Sequence, residues 1–197
     1  MDTTNMLTLL ATRELSIPVV ISERTDPAQH RIGSLRNWIR LRTYPWADAI
    51  VVPSRGAARW IRDHIRHPLI RVIPNPVREP PSSATPDHLH QGRRVVALGR
   101  LSQEKQLDYL LRAFSRCSSH RPEWSLDIVG EGPERQRLEA LAADLGISAR
   151  VRLWGAVPDP ENVLSNADLF VLTSRYEGFP NALLEAMACG LATVSFD

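Results

Sequence analysis

The chain has 197 residues, with 24 Lys and Arg against 22 Asp and Glu and 43% hydrophobic residues, a balance that excludes a disordered chain and nucleic-acid binding by bulk charge. Its cysteines, Cys117 and Cys189, are far apart and form no CxxC pair, which excludes a disulfide scaffold and fits a reducing cytoplasm. No run approaches the roughly 20 apolar residues of a membrane span, and residues 1–18 lack a basic leader and a cleavage site, so they read as a helix.

The apolar runs Pro18–Ile21, Ala49–Val52 and Leu69–Ile73 predict short strands, alternating with helices over Leu35–Tyr44 and Ser54–His64. The next stretch, Pro74–Gly92, holds five prolines and little apolar content, the composition of a linker. It coincides with a charge break. Residues 1–94 carry 14 basic and 8 acidic side chains and residues 95–197 carry 10 and 14, a net +6 followed by −4, so two units with different partners are expected. The domain reading is therefore 1–73, a linker at 74–92, and 93–197.

Beyond the linker, strands are predicted at 95–99, 125–130, 151–154, 169–173 and 192–196. Between them lie a helix ending near Ser118 and helices over Pro133–Leu145, Pro160–Asn166 and Asn181–Cys189. The Pro133–Leu145 helix sets Leu138, Leu141, Ala142 and Leu145 on one face, with Gly146 as its stop signal. Continuous apolar strands alternating with helices predict a parallel sheet covered on both faces. The chain stops directly after a strand, where a closing helix is expected, so the sequence reads as a fragment.

In such a sheet, ligands bind at the carboxyl ends of the strands. After the first strand of the second unit comes Gly99-Arg100-Leu101-Ser102-Gln103-Glu104-Lys105, which contains the only lysine among 24 cations. Two cations beside a helix start suit a pyrophosphate, and a solvated turn with Arg100 paired to Glu104 is the equal alternative. Gly130-Glu131-Gly132-Pro133 begins like a dinucleotide fingerprint but has Arg135 in place of the third glycine, so a tight strand-to-helix turn is the better reading. Gly155-Ala156-Val157-Pro158-Asp159 could cradle a flat base or be ordinary loop. The fourth end, Glu177-Gly-Phe-Pro-Asn-Ala-Leu-Leu-Glu185, places one carboxylate on a loop and another one turn into a helix. Carboxylates are acceptors suited to sugar hydroxyls, and the N–H groups of Asn181 and Ala182 could hold a phosphate.

The segments GRLSQEK, VGEGPE, LWGAVPD and SRYEGFPNALLEAMACG, in this order after IPNPV, resemble the family 4 retaining glycosyltransferases (GT4), and the resemblance runs from Pro18 to Phe196. It implies a GT-B fold of two Rossmann-like α/β domains, both incomplete here. Residues 1–73 would be the back part of the acceptor domain and 93–197 most of the donor domain. The donor would be a nucleotide-diphosphate sugar, UDP- or GDP-linked, and the acceptor a glycan or a lipid-linked glycan. The resemblance assigns Arg100 and Lys105 to the donor diphosphate, aided by the backbone at Asn181 and Ala182. Glu177 would bind the transferred sugar, Glu185 the ribose, and Ala156 and Val157 would flank the base. Neutralising a leaving diphosphate without metal is the electrostatic part of such catalysis.

The sequence departs from the family in two places: no glycine-rich loop precedes residue 18, and Glu23-Arg24-Thr25-Asp26-Pro27 stands where many members have a His, with Arg24 expected to face the cleft. His64 with His67, and His88 with His90, find no carboxylate or cysteine to complete a metal site. Arginines from Arg31 to Arg42, interleaved with Ile32, Leu35, Trp38, Ile39 and Leu41, could rest on anionic lipid, although a core-facing helix with a solvated face is the commoner use. The expectation is thus a cytoplasmic transferase, with peripheral contact at the inner face of the membrane as an addition. The alternatives are a non-catalytic nucleotide-sugar-binding remnant and, disfavoured by the broken fingerprint, a nicotinamide oxidoreductase.

Overall fold

The computed structural model describes residues 2–30, 32–66, 69–77 and 93–196. They fall into two compact units, one within Met1–Pro76 joined by Tyr176–Phe179 and the other within Val77–Arg175 and Pro180–Asp197. Most of the expected linker, 78–92, with His67, His88, His90 and Arg31, lies outside the described residues.

In the first unit, α1 (Asp2–Ala11) precedes β1 (Val20–Ser22), α2 (Ser34–Thr43), a 3-10 turn at Tyr44–Trp46, β2 (Ala49–Val52), α3 (Arg55–His64) and β3 (Ile70–Val72). The helix expected over residues 1–18 is shorter, because α1 ends at Ala11 and the chain then turns toward β1. The three strands are parallel in the order β1-β2-β3. Central β2 buries Ile50 and Val52 completely, as β-branched residues on a pleated, covered surface do. Ser54 caps α3 by accepting from the Ala57 backbone at 3.2 Å. The face so started packs Ala57, Ala58 and Ile61 against Met6, Leu9, Ile21 and Ile50.

The second unit runs β4 (Arg93–Leu98), a 3-10 turn (Gln103–Lys105), α4 (Leu107–Ser118), β5 (Trp124–Val129), α5 (Arg135–Asp144), a 3-10 turn (Ser148–Arg150), β6 (Val151–Gly155), α6 (Pro160–Ser165), β7 (Leu169–Leu172), α7 (Asn181–Ala188) and β8 (Ala192–Ser195). All pairings are parallel, in the order β6-β5-β4-β7-β8. Side chains alternate between faces along a strand. Val95, Ala97, Leu126 and Ile128 meet Leu111, Phe114, Leu138 and Ala142 on one side, and Val96, Val129 and Phe170 meet Leu164 and Ala186 on the other. The strand sequence runs one way from β4 to β6 and then reverses to β7 and β8, so a topological switch point lies between the carboxyl ends of β4 and β7.

Two glycines set how closely the turns at that end approach. A Cβ on Gly130, at φ 138°, would lie 1.9 Å from the Gly99 carbonyl oxygen, and one on Gly132 would lie 2.3 Å from that of Leu101. Backbone bonds from Leu101 N to Glu131 O and from Glu134 N to Leu101 O, both 3.0 Å, tie the turns together. The Gly130-Glu131-Gly132 pattern is thus a strand-to-helix turn built against protein backbone. It occupies Pro133 and Glu134 as well, so α5 begins at Arg135, two residues later than expected. Arg135 braces the turn by pairing with Glu131 at 2.9 Å and Glu139 at 3.0 Å and donating to the Leu153 carbonyl at 3.0 Å.

Gly130→Ala is expected to lower the unfolding free energy by about 3 kcal/mol, through backbone strain and overlap. Gly146→Ala is the comparison, since Gly146 has φ 68° but nothing within 4 Å of an added Cβ, and about 1 kcal/mol is expected there. Denaturant midpoints of the two variants check the difference.

Candidate functional site

The switch point carries a small crevice lined by Leu98, Gly99, Arg100, Lys105, Thr173 and Ser174, among others. Arg100 is exposed and Lys105 half-buried. A Cβ on Gly99 would meet Lys105 Cε at 3.2 Å and Nζ at 3.5 Å, so the ammonium group lies over the end of β4 because Gly99 leaves it room. The cations lie near a helix start, with α4 beginning at Leu107 two residues after Lys105, but not directly on it. Lys105 closes the 3-10 turn, and Gln106, at φ 49°, separates it from α4. Thr173, buried at the end of β7, donates its hydroxyl to the Lys105 carbonyl at 2.8 Å, and Arg175 N donates to Glu104 O at 2.8 Å. These bonds hold the cation-bearing turn to the far side of the switch point.

Glu104 takes its side-chain hydrogen bond from Ser102 Oγ at 2.7 Å, so the pairing with Arg100 considered from sequence is replaced by a local one. Burial alone would raise its carboxyl. The bonds from Ser102 and from its own backbone, with the nearby charges of Lys105 and Arg100, carry it below the usual carboxylate value.

On the other site elements, Asn181 is the first residue of α7, Ala182 the second and Glu185 the fifth. Pro180 caps the helix without a side-chain bond, and Leu184 N returns to Pro180 O at 3.1 Å, so the N–H groups of Asn181, Ala182 and Leu183 have no acceptor within the helix. Asn181 is exposed and Glu185 half-buried. Val157 is half-buried against the Val96 and Phe170 cluster, while Ala156 is exposed. Glu177 lies in Tyr176–Phe179, the segment grouped with the first unit. Among the described residues, no three His, Cys, Asp or Glu side chains gather as a metal-ligand set, and no helix is long and apolar enough to cross a membrane.

The sequence reading missed Thr173 and Ser174. The signal was there, since Thr173 ends the expected strand and Ser174 follows it, but the acidic segment beyond them drew the chemical argument.

Residues 84–197 match the family described as Glycosyl transferases group 1, and residues 3–79 match Glycosyltransferase Family 4. The chain belongs to the group 1 glycosyl transferases. It is 33% identical over 185 residues to an exopolysaccharide phosphotransferase of Streptomyces coelicolor, covering 91% of this chain and 19% of the relative. It is 28% identical over 188 residues to N-acetylgalactosamine-N,N'-diacetylbacillosaminyl-diphospho-undecaprenol 4-alpha-N-acetylgalactosaminyltransferase of Campylobacter jejuni, covering 91% and 51%. The crystal structure of Anabaena HepE in complex with UDP-glucose superimposes with a TM-score of 0.87 at 22% identity, covering 99% of this chain and 57% of that one. The architecture of this glycosyl transferase chain is accordingly of GT-B type. The chain spans from about a fifth to about half of the length of these two curated relatives.

Because the folded-state carboxyl of Glu104 lies below its ordinary value, the stability it contributes is fully present at neutral pH and is lost as pH falls through the lowered value. The difference in unfolding free energy between the unsubstituted chain and Glu104→Gln is expected to be largest near neutrality and to shrink below about pH 4.3. Urea unfolding at a series of pH values checks this.

Proposed function

We propose that the protein transfers a sugar, with retention of anomeric configuration, from a UDP- or GDP-linked donor to a glycan or lipid-linked acceptor in polysaccharide or glycolipid assembly. The observation that carries this reading is the pair of cations, Arg100 and Lys105, at the carboxyl end of β4 beside the switch point. As the bond from the anomeric carbon to the diphosphate oxygen breaks and the acceptor hydroxyl oxygen bonds to that carbon, the acceptor's proton passes to the departing diphosphate, on which negative charge has grown. Arg100 and Lys105 oppose that charge and do so without metal, with the amino end of α7 at Asn181 and Ala182 contributing its dipole. Glu185 accepts from the ribose hydroxyls, Glu177 from the transferred sugar, and Val157 packs beside the base.

Relatives named for exopolysaccharide and undecaprenol-linked substrates support the acceptor class. A cytoplasmic enzyme with peripheral contact at the inner membrane face fits the exposed Leu35 and Trp38, with Arg42 stacked 5.0 Å from the Trp38 ring.

Arg100→Ala and Lys105→Ala are each expected to weaken binding of UDP or GDP about tenfold or more while leaving the parent nucleoside unchanged, since charged hydrogen bonds to phosphate contribute about 1.5–3 kcal/mol. Glu185→Ala is expected to weaken nucleoside and diphosphate alike, by about 1–3 kcal/mol. Calorimetric titration with all four ligands, and transfer of labelled sugar to a glycan or lipid-linked acceptor, test the reading. Equal losses for nucleoside and diphosphate in the Arg100 and Lys105 variants would reassign those residues to the fold, and binding without transfer would leave a nucleotide-sugar-binding protein.

A further inference from the structure

Glu23 directly follows β1, and it is 0% exposed. Its backbone N–H extends the sheet by donating to Val51 O at 2.9 Å. One carboxylate oxygen, Oε1, accepts from Thr25 Oγ1 at 2.6 Å and from Thr25 N at 3.4 Å. The other, Oε2, accepts from the Tyr44 hydroxyl at 2.8 Å. Tyr44 is itself 0% exposed, and its oxygen accepts from Asn5 Nδ2 at 3.2 Å, while Asn5 Nδ2 also donates to Ser22 O at 2.8 Å. Thr25 and Tyr44 thus bond the acid directly, and Asn5 of α1 links Tyr44 to Ser22 of β1. Burial, reinforced by the Glu23 carboxylate, pushes the Tyr44 phenol well above its ordinary value, so it remains a donor. The buried guanidinium of Arg40 supplies opposite charge nearby.

A buried carboxyl group left without partners is costly, and this one has a hydrogen-bond donor on each oxygen. What it holds is the Arg24-Thr25 backbone. Arg24 is further tied by Nη2 donating to Asn75 Oδ1 at 3.1 Å. Within the same compact unit, a Cβ on Gly178 would lie 2.3 Å from the Arg24 carbonyl oxygen and 2.9 Å from Thr25 Cα. The Gly178 turn therefore rests directly on that backbone, and any shift of Thr25 has to be taken up by Gly178 and by Glu177, its neighbour in the chain.

We propose that Glu23 is a positioning residue, which through Thr25 and Tyr44 fixes the backbone on which the Gly178 turn rests and so places the Glu177 carboxylate. Its effect on sugar binding rests on the role given to Glu177 above, while its effect on the turn does not. A glutamine at position 23 keeps the shape but turns one acceptor into a donor facing a hydroxyl donor.

The test compares the full chain with Glu23→Gln, Thr25→Val and Thr25→Ser in two measurements. In nitrogen–proton amide spectra, Glu23→Gln and Thr25→Val are expected to move the Gly178 resonance and leave Gly146 and Gly190 in place, and Thr25→Ser to restore it. In titrations with UDP, GDP, UDP-glucose, UDP-N-acetylglucosamine and GDP-mannose, the same two variants are expected to lose about tenfold of the nucleotide sugar's affinity relative to its diphosphate, with the diphosphate itself unchanged. An unmoved Gly178 resonance, or equal losses for sugar-bearing and sugar-free ligands, would overturn the proposal. Should Glu23→Gln fail to fold, the Thr25 pair decides it alone. Absence of binding to all five ligands by the unsubstituted chain would instead overturn the donor-binding roles proposed for its residues, Glu177 among them, and the Gly178 resonance would still decide the role of Glu23.

Discussion

Where β4 meets β5, backbone lies directly on backbone, and the arrangement of the switch point follows from that contact. The carbonyls of Gly99 and Leu101 occupy the space that side chains on Gly130 and Gly132 would need. Any side chain there would lift the turn after β4 away from the sheet, and Arg100 sits between the two contacts. Gly99 repeats the device at the same turn, since the space above it is filled by the end of the Lys105 side chain. Three glycines therefore set the backbone on either side of Arg100 and the place of the Lys105 side chain.

Polar groups, some buried and some partly exposed, supply the second level of organisation. In the second unit, Asp168 at the start of β7 accepts from Arg94 N at 2.8 Å and pairs with Arg93 at 2.9 Å, which registers β7 against β4 from the end opposite the crevice. Asp127, buried within β5, accepts from the Trp154 indole at 2.8 Å, and Arg152 stacks 3.7 Å from that ring. In the first unit, Glu23 plays the corresponding part at a strand end. Desolvating a carboxylate opposes folding, and the hydrogen bonds that offset this cost are directional. They restrict loops that apolar packing alone would leave free to slide.

Restraint of the same kind gathers at the strand ends beside the crevice. The role proposed for Arg100 and Lys105 asks for cations that are already held in place, because preorganised charge costs no reorganisation during a reaction. Thr173 and Arg175 hold the Lys105 turn from the β7 side, and the glycine contacts hold it from the β5 side. The crevice is thus braced from both neighbouring strands.

The sequence by itself determined the elements and their class. Runs such as Ala49–Val52 and Leu169–Leu172 are apolar on both faces, and Ser54 and Asp159 mark helix starts, all through interactions among neighbours in the chain. It also marked Arg100, Lys105, Glu177 and Glu185 by residue type and spacing. Tertiary structure alone decided which glycines face another backbone, that Gln106 parts Lys105 from α4, and that Glu23, at the head of the segment that departs from the family pattern, is buried. The partners concerned are distant in sequence, with Tyr44 21 residues from Glu23 and Lys105 68 from Thr173. Contacts of that span leave no periodicity to read, because they exist only once the sheet has brought its strand ends together.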